Sequence, residues 1–109
     1  MAALTTQYIL PSGLAPTYGA VSASDTCSPG NTVFIHVKNA GGSPDTVTVT
    51  GVGTEGYGVA RPNLTVTVPA TTGDRMIGPL KAEWFAGSTG VVTITHSFTT
   101  SVTCAVVSF

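Results

Sequence analysis

The sequence predicts an all-β protein, a single small β-sandwich of jelly-roll or immunoglobulin-like type. Three observations predict it. The chain holds 19 Thr and 14 Val, which are β-branched residues that fit a pleated sheet better than a helix. Its 13 Gly and 7 Pro divide it into about seven to eight short segments of strand length, as in sandwiches. No segment keeps the 3.6-residue period of a helix.

At 109 residues, the chain has room for one domain, which we assign to residues 1–109. Residues 1–30 form a partly irregular N-terminal segment. A short strand is predicted over residues 4–10, where Pro11 ends it. The stretch that follows is rich in small residues, with at most a short strand at residues 17–21.

The clearest strand is "NTVFIHVKN" at residues 31–39. It follows a turn at Pro29-Gly30. Successive residues of a strand point to opposite faces. One face of this strand is therefore expected to pack inward and the other to meet solvent or a neighbour. The inward residues are Val33, Ile35 and Val37, and the outward residues are Phe34, His36 and Lys38.

Six further segments are predicted downstream. Strands are expected at residues 46–52, 63–70 and 75–80, the second ending at Pro69, which cannot donate to a ladder. Residues 82–86 fit either a strand or one helical turn. Residues 90–98 and 102–109 are predicted to form a hairpin across residues 99–101. "TVTVT" and "LTVTV" resemble each other but are too short to be a repeat.

The charge balance limits the partners. Four basic and five acidic residues give a net charge of −1, which supplies neither a field for nucleic acid nor a basic patch for a membrane. No apolar run reaches the ~20 residues of a membrane span. The start "MAALTTQYIL" lacks the features of a secretion signal, so we expect a protein made and used without export. The mean hydropathy of +0.36 favours a protein that lives in an assembly.

The sequence predicts no catalytic residues, no cofactor and no metal site. His36 and His96 occupy equivalent positions in separate strands, but a metal needs three or more ligands. No third histidine exists, and the carboxylates are all predicted in turns or loops rather than near these strands. The serines lack a nucleophile motif, so we expect a protein that is not an enzyme. The five carboxylates are Asp25, Asp45, Glu55, Asp74 and Glu83.

Three smaller features have structural interpretations. Lys38 is expected to be a solvent-facing or edge-strand charge that discourages unwanted pairing. Asp74 is expected to be a turn acid followed by a strand, and any ion pair that it forms is expected to be a local one with Arg75. Cys27 and Cys104 are expected to be two buried thiols in a protein that is not exported, although a disulfide between them stays open.

The large residues predict contacts rather than chemistry. Trp84 either plugs one end of the sandwich or anchors a protein interface, where Trp and Tyr are enriched. Seven residues are candidates for contact with a partner because they are large or lie in exposed segments. They are Leu14, Pro16, Tyr18, Phe34, His36, Tyr57 and Trp84.

The ordered set "GLAPTYGAV", "GNTVFIHVKN", "LTVTVPA", "GDRMIGPL" and "GVVTITHSFTTSVTCAVVSF" resembles head decoration proteins of tailed bacteriophages, which are also called capsid cement or minor capsid proteins. The resemblance runs from about residue 4 to the end, and its most specific parts are "GLAPTY", "NTVFIHVKN" and "RMIGP". The chain departs from the expected pattern at Cys27 and Cys104, which leaves a capsid-stabilising disulfide open.

The resemblance implies a β-sandwich that binds the outside of an assembled capsid and supplies no catalytic residues. Its partner would be the major capsid protein, with contacts expected from residues 4–24 and the exposed aromatic residues. Homo-oligomers are common among such proteins, and a trimer is favoured here. The location would be the exterior of the virion capsid, after synthesis in the cytoplasm of the bacterial host.

Two other functions stay open. One is a tail or head–tail joining component of the same kind of virion. The other is a carbohydrate-binding module or adhesin, in which Trp84 and the tyrosines stack on sugar rings.

Overall fold

A computed structural model describes residues 2–54, 56–86 and 90–109. Within these ranges the chain forms ten strands and one short helix, with a 3-10 turn at Gly56–Gly58. The elements in chain order are β1 (Ala2–Ala3), β2 (Thr6–Tyr8), β3 (Gly19–Ala20), β4 (Ser24–Cys27), β5 (Val33–Asn39), β6 (Asp45–Val49), β7 (Leu64–Val68), β8 (Gly73–Ile77), α1 (Ala82–Phe85), β9 (Val92–His96) and β10 (Val102–Ser108). Seven of the strands have four or more residues, close to the predicted number.

The strands form two sheets that enclose one core, which confirms the small all-β sandwich. The first sheet has the order β1-β4-β9-β6-β7. The second has the order β2-β10-β5-β8, and β3 also pairs with β10. Except for β6 and β7, which are neighbours in the first sheet, successive long strands lie in opposite sheets, so most connections cross the sandwich.

The period-2 pattern places the core as predicted. Val33, Ile35 and Val37 of β5 point inward and are buried, as are Val47 and Val49 of β6. Full burial of each such side chain stabilises the fold by about 1.5–3 kcal/mol relative to exposure. Alternation along each strand leaves the intervening residues on the outer faces, where a site can form.

The predicted hairpin of the last two strands is wrong. β9 pairs with β4 and β6 in the first sheet, whereas β10 pairs with β5 in the second. The residues between them cross from one sheet to the other instead of turning within one. The inward faces of β9 and β10 therefore face each other across the core. The short connection between the two strands in the sequence does not reveal that they belong to different sheets.

The predicted irregular segment contains a strand that the sequence did not predict. β4 lies within residues 13–30 and pairs antiparallel with β9. Its inward residues are Asp25 and Cys27, so a charged residue occupies a position where the pattern leads one to expect an apolar residue. Before it, β1 pairs with β4 and β2 pairs with β10, both in parallel, so the N-terminal segment belongs to both sheets.

Residues 82–86, for which a strand and a helical turn were both open, begin with the single helical turn of α1. Phe85 of α1 is buried in the core, and Trp84 is partly buried against it. The indole nitrogen of Trp84 donates a hydrogen bond to the carbonyl oxygen of Pro62 at 3.3 Å. These contacts agree with Trp84 as a plug of the sandwich.

Candidate functional site

The outer face of the second sheet carries a cavity of about 280 Å³ that collects most of the predicted contact residues. We call it the outer-face cavity. Five of the seven candidates line it, although they come from two distant parts of the sequence. Its lining residues are Ile9, Leu14, Pro16, Tyr18, Phe34, His36, Met76 and Val107.

Strand register explains why these residues meet. Phe34 and His36 lie on the outer face of β5, the strand between β10 and β8. His36 is opposite Met76 of β8, and Phe34 is opposite Val107 of β10. The segment that leads into β3 brings Tyr18 over this face. The floor is therefore built on three paired strands, and the irregular N-terminal segment supplies the wall.

A hydrogen-bonded chain of three side chains fixes the centre of the cavity. The Tyr18 hydroxyl lies 2.6 Å from His36 Nδ1, and His36 Nε2 is bonded to the Asp74 carboxylate. A carboxylate only accepts, so Nε2–H donates to Asp74. In the neutral imidazole Nδ1 then accepts from the Tyr18 hydroxyl. The hydrogen bond from His36 holds the pKa of Asp74 below its ordinary value, and Lys38 and Arg75 add to this shift.

The structure revises two sequence predictions here. Lys38 is exposed to solvent, as one of its two alternatives predicts, but it does not protect an edge, because β5 has a neighbour on both sides. Its Nζ lies 4.3 Å from the centroid of the Tyr18 ring, in a cation–π contact. Asp74 directs its carboxylate to His36, while Arg75 Nη1 donates to the backbone oxygen of Asp74 at 2.8 Å. The charges near the cavity therefore hold two of its residues in position: Lys38 contacts the ring of Tyr18, and Asp74 is bonded to His36.

The apolar surface extends beyond the outer-face cavity. A second depression of about 330 Å³ shares Phe34 and Met76 with it and also includes Pro79 and Phe109. Met76 is 67% exposed and Phe109 is 76% exposed, so these are large apolar side chains in contact with water. Continuous exposed apolar surface of this kind is typical of an interaction site.

The other two candidates do not line this surface. Tyr57 is fully exposed in the loop between β6 and β7, which the bridge between Thr54 and Ala60 closes. Trp84 lies next to Pro62, and the guanidinium carbon of Arg61 sits 5.2 Å from the centroid of its ring. The structure therefore separates Tyr57 and Trp84 from the five residues of the cavity.

A second polar cluster, which the sequence did not predict, lies inside the core. His96 Nδ1 is 2.6 Å from Asp45 Oδ2, and His96 Nε2 is 3.9 Å from Asp25 Oδ2. Ser22 donates to Asp25 through its hydroxyl and its backbone nitrogen. Asp45 accepts from the backbone nitrogens of Ser97 and Phe98. Both carboxylates thus have partners, as buried charges require.

The prediction that every carboxylate lies in a turn or loop is wrong. Asp25, Asp45 and Asp74 lie in strands, and Glu83 lies in α1. Glu55 is outside the described residues. Each histidine accordingly has a carboxylate partner, contrary to expectation. Even so, the described residues contain no group of three or more His, Cys, Asp or Glu arranged to hold a metal ion.

Cys27 and Cys104 are free, buried thiols. Burial raises the pKa of Cys27 to about 11 and that of Cys104 to about 12, and in Cys104 the nearby Asp25 and Cys27 add to the effect. The thiolate is the reactive form of cysteine, so both side chains are chemically quiet in the folded protein.

No helix among the described residues is long and apolar enough to cross a bilayer. Comparison of the chain with known protein families, curated proteins and solved structures found no match.

Proposed function

We propose that this protein is a non-enzymatic decoration protein that binds the outer surface of a tailed-bacteriophage head and stabilises it. The observation that carries the proposal is the outer-face cavity. Residues expected to contact a partner converge there on one apolar surface with a rigid polar centre. The resemblance of the sequence to head decoration proteins supplies the partner, the major capsid protein.

The surface has the composition of a protein-binding site. Aromatic residues and Met are enriched in interface cores, and charged residues are depleted there. Here Tyr18, Phe34 and Met76 supply the large side chains, and the described charges lie beside the cavity rather than in its floor. Phe34 and Met76 lie on the paired strands β5 and β8, so their backbone is already ordered before a partner binds, which lowers the entropy cost of binding.

In this proposal the hydrogen-bonded side chains of Tyr18, His36 and Asp74 have a structural role and not a catalytic one. The Tyr18 hydroxyl is engaged by His36, and Lys38 covers the ring of Tyr18. Both contacts fix the tyrosine against the sheet. A fixed aromatic side chain at the wall of an apolar cavity is a suitable anchor for a partner.

Association of several copies supports stable attachment. A small subunit makes a contact of modest size, and linked copies on a repeating shell gain strength by avidity. The low net charge of −1 reduces repulsion between neighbouring copies. We therefore include a homo-oligomer, with a trimer favoured, in the proposal.

The test is to add the purified protein to undecorated heads and image them by cryo-electron microscopy. We expect density on the exterior of the shell, with the outer face of the second sheet against the major capsid protein. Absence of density from the shell would overturn this proposal, and immunogold labelling of the tail or the head–tail joint on intact particles would instead identify a joining component.

A pair of matched variants localises the contact. Met76→Glu places a charge on the proposed surface, where Met76 is 67% exposed, and Val59→Glu places the same charge at a residue 60% exposed that does not line the cavity. Both changes are at exposed positions and should alter stability by no more than about 0.5 kcal/mol. Met76→Glu should abolish decoration and Val59→Glu should retain it. Equal binding by the two variants would exclude the proposed surface.

A sugar-binding role for Trp84 has less support from the geometry. Stacking on a sugar ring needs an open aromatic face, whereas Arg61 lies over the Trp84 ring and the indole nitrogen is bonded to Pro62. A glycan array with Trp84→Ala as the control would detect such binding.

A further inference from the structure

The free edge of β7 differs from the other strand edges in the described residues. β7 ends the first sheet and has a neighbour only on the β6 side. An edge strand carries unpaired backbone groups, which proteins usually protect with charge or by keeping the strand short. β8 carries Asp74 and Arg75, whereas β1 and β2 have only two and three residues. β7 has five residues, "LTVTV", and no charge.

The backbone hydrogen bonds show which groups of β7 face outward. Thr50 N donates to Thr93 O at 3.0 Å, and Ser97 N donates to Thr46 O at 3.2 Å. In an antiparallel ladder, alternate residues bond to opposite neighbours, so the even-numbered residues of β6 bond to β9 and the odd-numbered ones bond to β7. Val66, opposite Val47, therefore bonds to β6.

It follows that the N–H and C=O groups of Thr65 and Thr67 point to the free edge. The side chains of both threonines are also exposed. Pro62 and Pro69 flank the strand and limit any added pairing to the residues between them, because proline cannot donate to a ladder. The unpaired segment is short and has a fixed length.

The strand that already pairs with β7 has almost the same sequence. β6 is "DTVTV" and β7 is "LTVTV". In their antiparallel register Thr46 is opposite Thr67, Val47 is opposite Val66, and Thr48 is opposite Thr65. One edge of β7 thus accepts a Thr-Val-Thr strand, and β7 of a second copy offers the same pattern to its other edge.

We propose that two copies of this chain associate by antiparallel pairing of their β7 edges about a twofold axis at Val66. In this register Thr65 of each copy is opposite Thr67 of the other, and the two Val66 residues are opposite each other. The outward backbone groups of both threonines gain partners. Val66 is only partly buried, whereas its β6 neighbour Val47 is fully buried, and the added strand covers Val66 on its open side.

The contact is small and self-complementary, as a twofold interface must be. A single strand pair falls below the ~1,200 Å² of a standard stable interface, so association should depend on concentration. The inference is independent of the proposed function. A twofold contact gives particles with an even number of chains, two on its own or six if a threefold association also forms.

Charge substitutions at the edge test the pairing and its register. Thr65→Lys with Thr67→Lys sets lysines opposite lysines across the axis. Thr65→Lys with Thr67→Glu sets each lysine opposite a glutamate. Like charges opposite each other oppose strand pairing and unlike charges favour it. The first variant should weaken association at least about tenfold, and the second should restore it.

The measurement is sedimentation equilibrium from low to high micromolar concentration, with a chain mass of 11.0 kDa. A matched control carries lysines at Thr99 and Thr100, which are exposed in the turn before β10, and should associate as the native protein does. The proposal is supported if the native particle contains an even number of chains and if the lysine pair at β7, but not the control pair, halves that number. A monomer at all concentrations, an odd-numbered particle, or association unchanged by that pair would overturn it.

A cross-linking test checks the axis independently. Only the central residue of a twofold strand pair meets its own copy. Val66→Cys should form a disulfide between two chains when copper phenanthroline and oxygen accept the two electrons and two protons of the thiols. Leu64→Cys should not, because Leu64 would be opposite Val68 of the other copy. Equal cross-linking of both variants, or cross-linking of neither, would contradict the proposed register.

Discussion

His96 Nδ1 lies 2.6 Å from Asp45 Oδ2, and both side chains are fully buried. The other oxygen of Asp45 accepts hydrogen bonds from the backbone nitrogens of Ser97 and Phe98 at 3.0 and 3.2 Å. These residues begin the connection that carries the chain from the first sheet to the second. Asp45 therefore joins the end of β9 to the start of β6 and holds the crossing point in place.

Asp45→Ala should lower the free energy of unfolding by about 3–5 kcal/mol. The substitution leaves the imidazole of His96 and two backbone N–H groups without their buried acceptor, and removal of one member of a buried polar network costs about this much. Urea denaturation of both proteins measures the difference.

Asp45→Asn is the matched control. Its amide oxygen can still accept from Ser97 and Phe98, so the loss should be smaller, about 1–3 kcal/mol. If Asp45→Ala is as stable as the native protein, or if Asn and Ala have equal effects, the crossing does not depend on these hydrogen bonds.

The Asp45–His96 contact shows where prediction from the sequence stops. Alternation in β5, β6 and β9 correctly places their apolar residues in the core. An aspartate beside glycine and proline is typical of a turn, and its partner is 51 residues away. The strand at Ser24–Cys27 was missed for the same reason, because Asp25 occupies an inward position that only a distant histidine and Ser22 make acceptable.

The outer-face cavity could be predicted in part. Phe34 and His36 follow from the outward face of β5, and Leu14, Pro16 and Tyr18 are large residues in a segment rich in small ones. Their convergence depends on the folding of the N-terminal segment over the second sheet, which no local pattern determines. The bond between His36 and Asp74 needs the register of β5 with β8 and could not be predicted either.

Asp74 should make acid stability depend on its bond to His36. The pKa of Asp74 is lower in the folded protein than its ordinary value, which is about 3.9 in an unfolded chain. The folded state therefore favours the ionised carboxylate. This contribution is complete above about pH 4 and is lost as the pH falls through the lowered folded pKa.

Asp74→Asn removes this titration, so its urea midpoint should fall less steeply than that of the native protein below about pH 4. If the urea midpoints of the two proteins fall equally steeply below about pH 4, the bond to His36 does not favour the ionised form of Asp74.

The two cysteines should be almost unreactive in the folded protein. Burial raises the pKa of Cys27 to about 11 and that of Cys104 to about 12, so little thiolate exists at pH 8. Since the thiolate reacts with disulfide reagents, labelling by Ellman's reagent should be at least about a hundredfold slower than in urea-unfolded protein. Rapid labelling of one thiol without unfolding would show that its site opens.

The return from β7 to β8 should depend on the absence of a side chain at residue 73. A Cβ built on Gly73 would overlap the carbonyl oxygen of Pro69 and lie 2.7 Å from Val68 Cγ1. Backbone atoms in a tight turn cannot move away without disturbing the ladder. Gly73→Ala should therefore destabilise the protein by about 2–4 kcal/mol.

Gly42→Ala serves as the comparison for Gly73→Ala, because a Cβ at Gly42 meets nothing within 4 Å. Its exposed position predicts a change within about 0.5 kcal/mol. Thermal and urea unfolding of the two alanine variants separates a steric cost from the general effect of replacing glycine, which also restricts the unfolded chain. If both variants lose the same stability, the close approach of Gly73 to Pro69 is not what requires glycine.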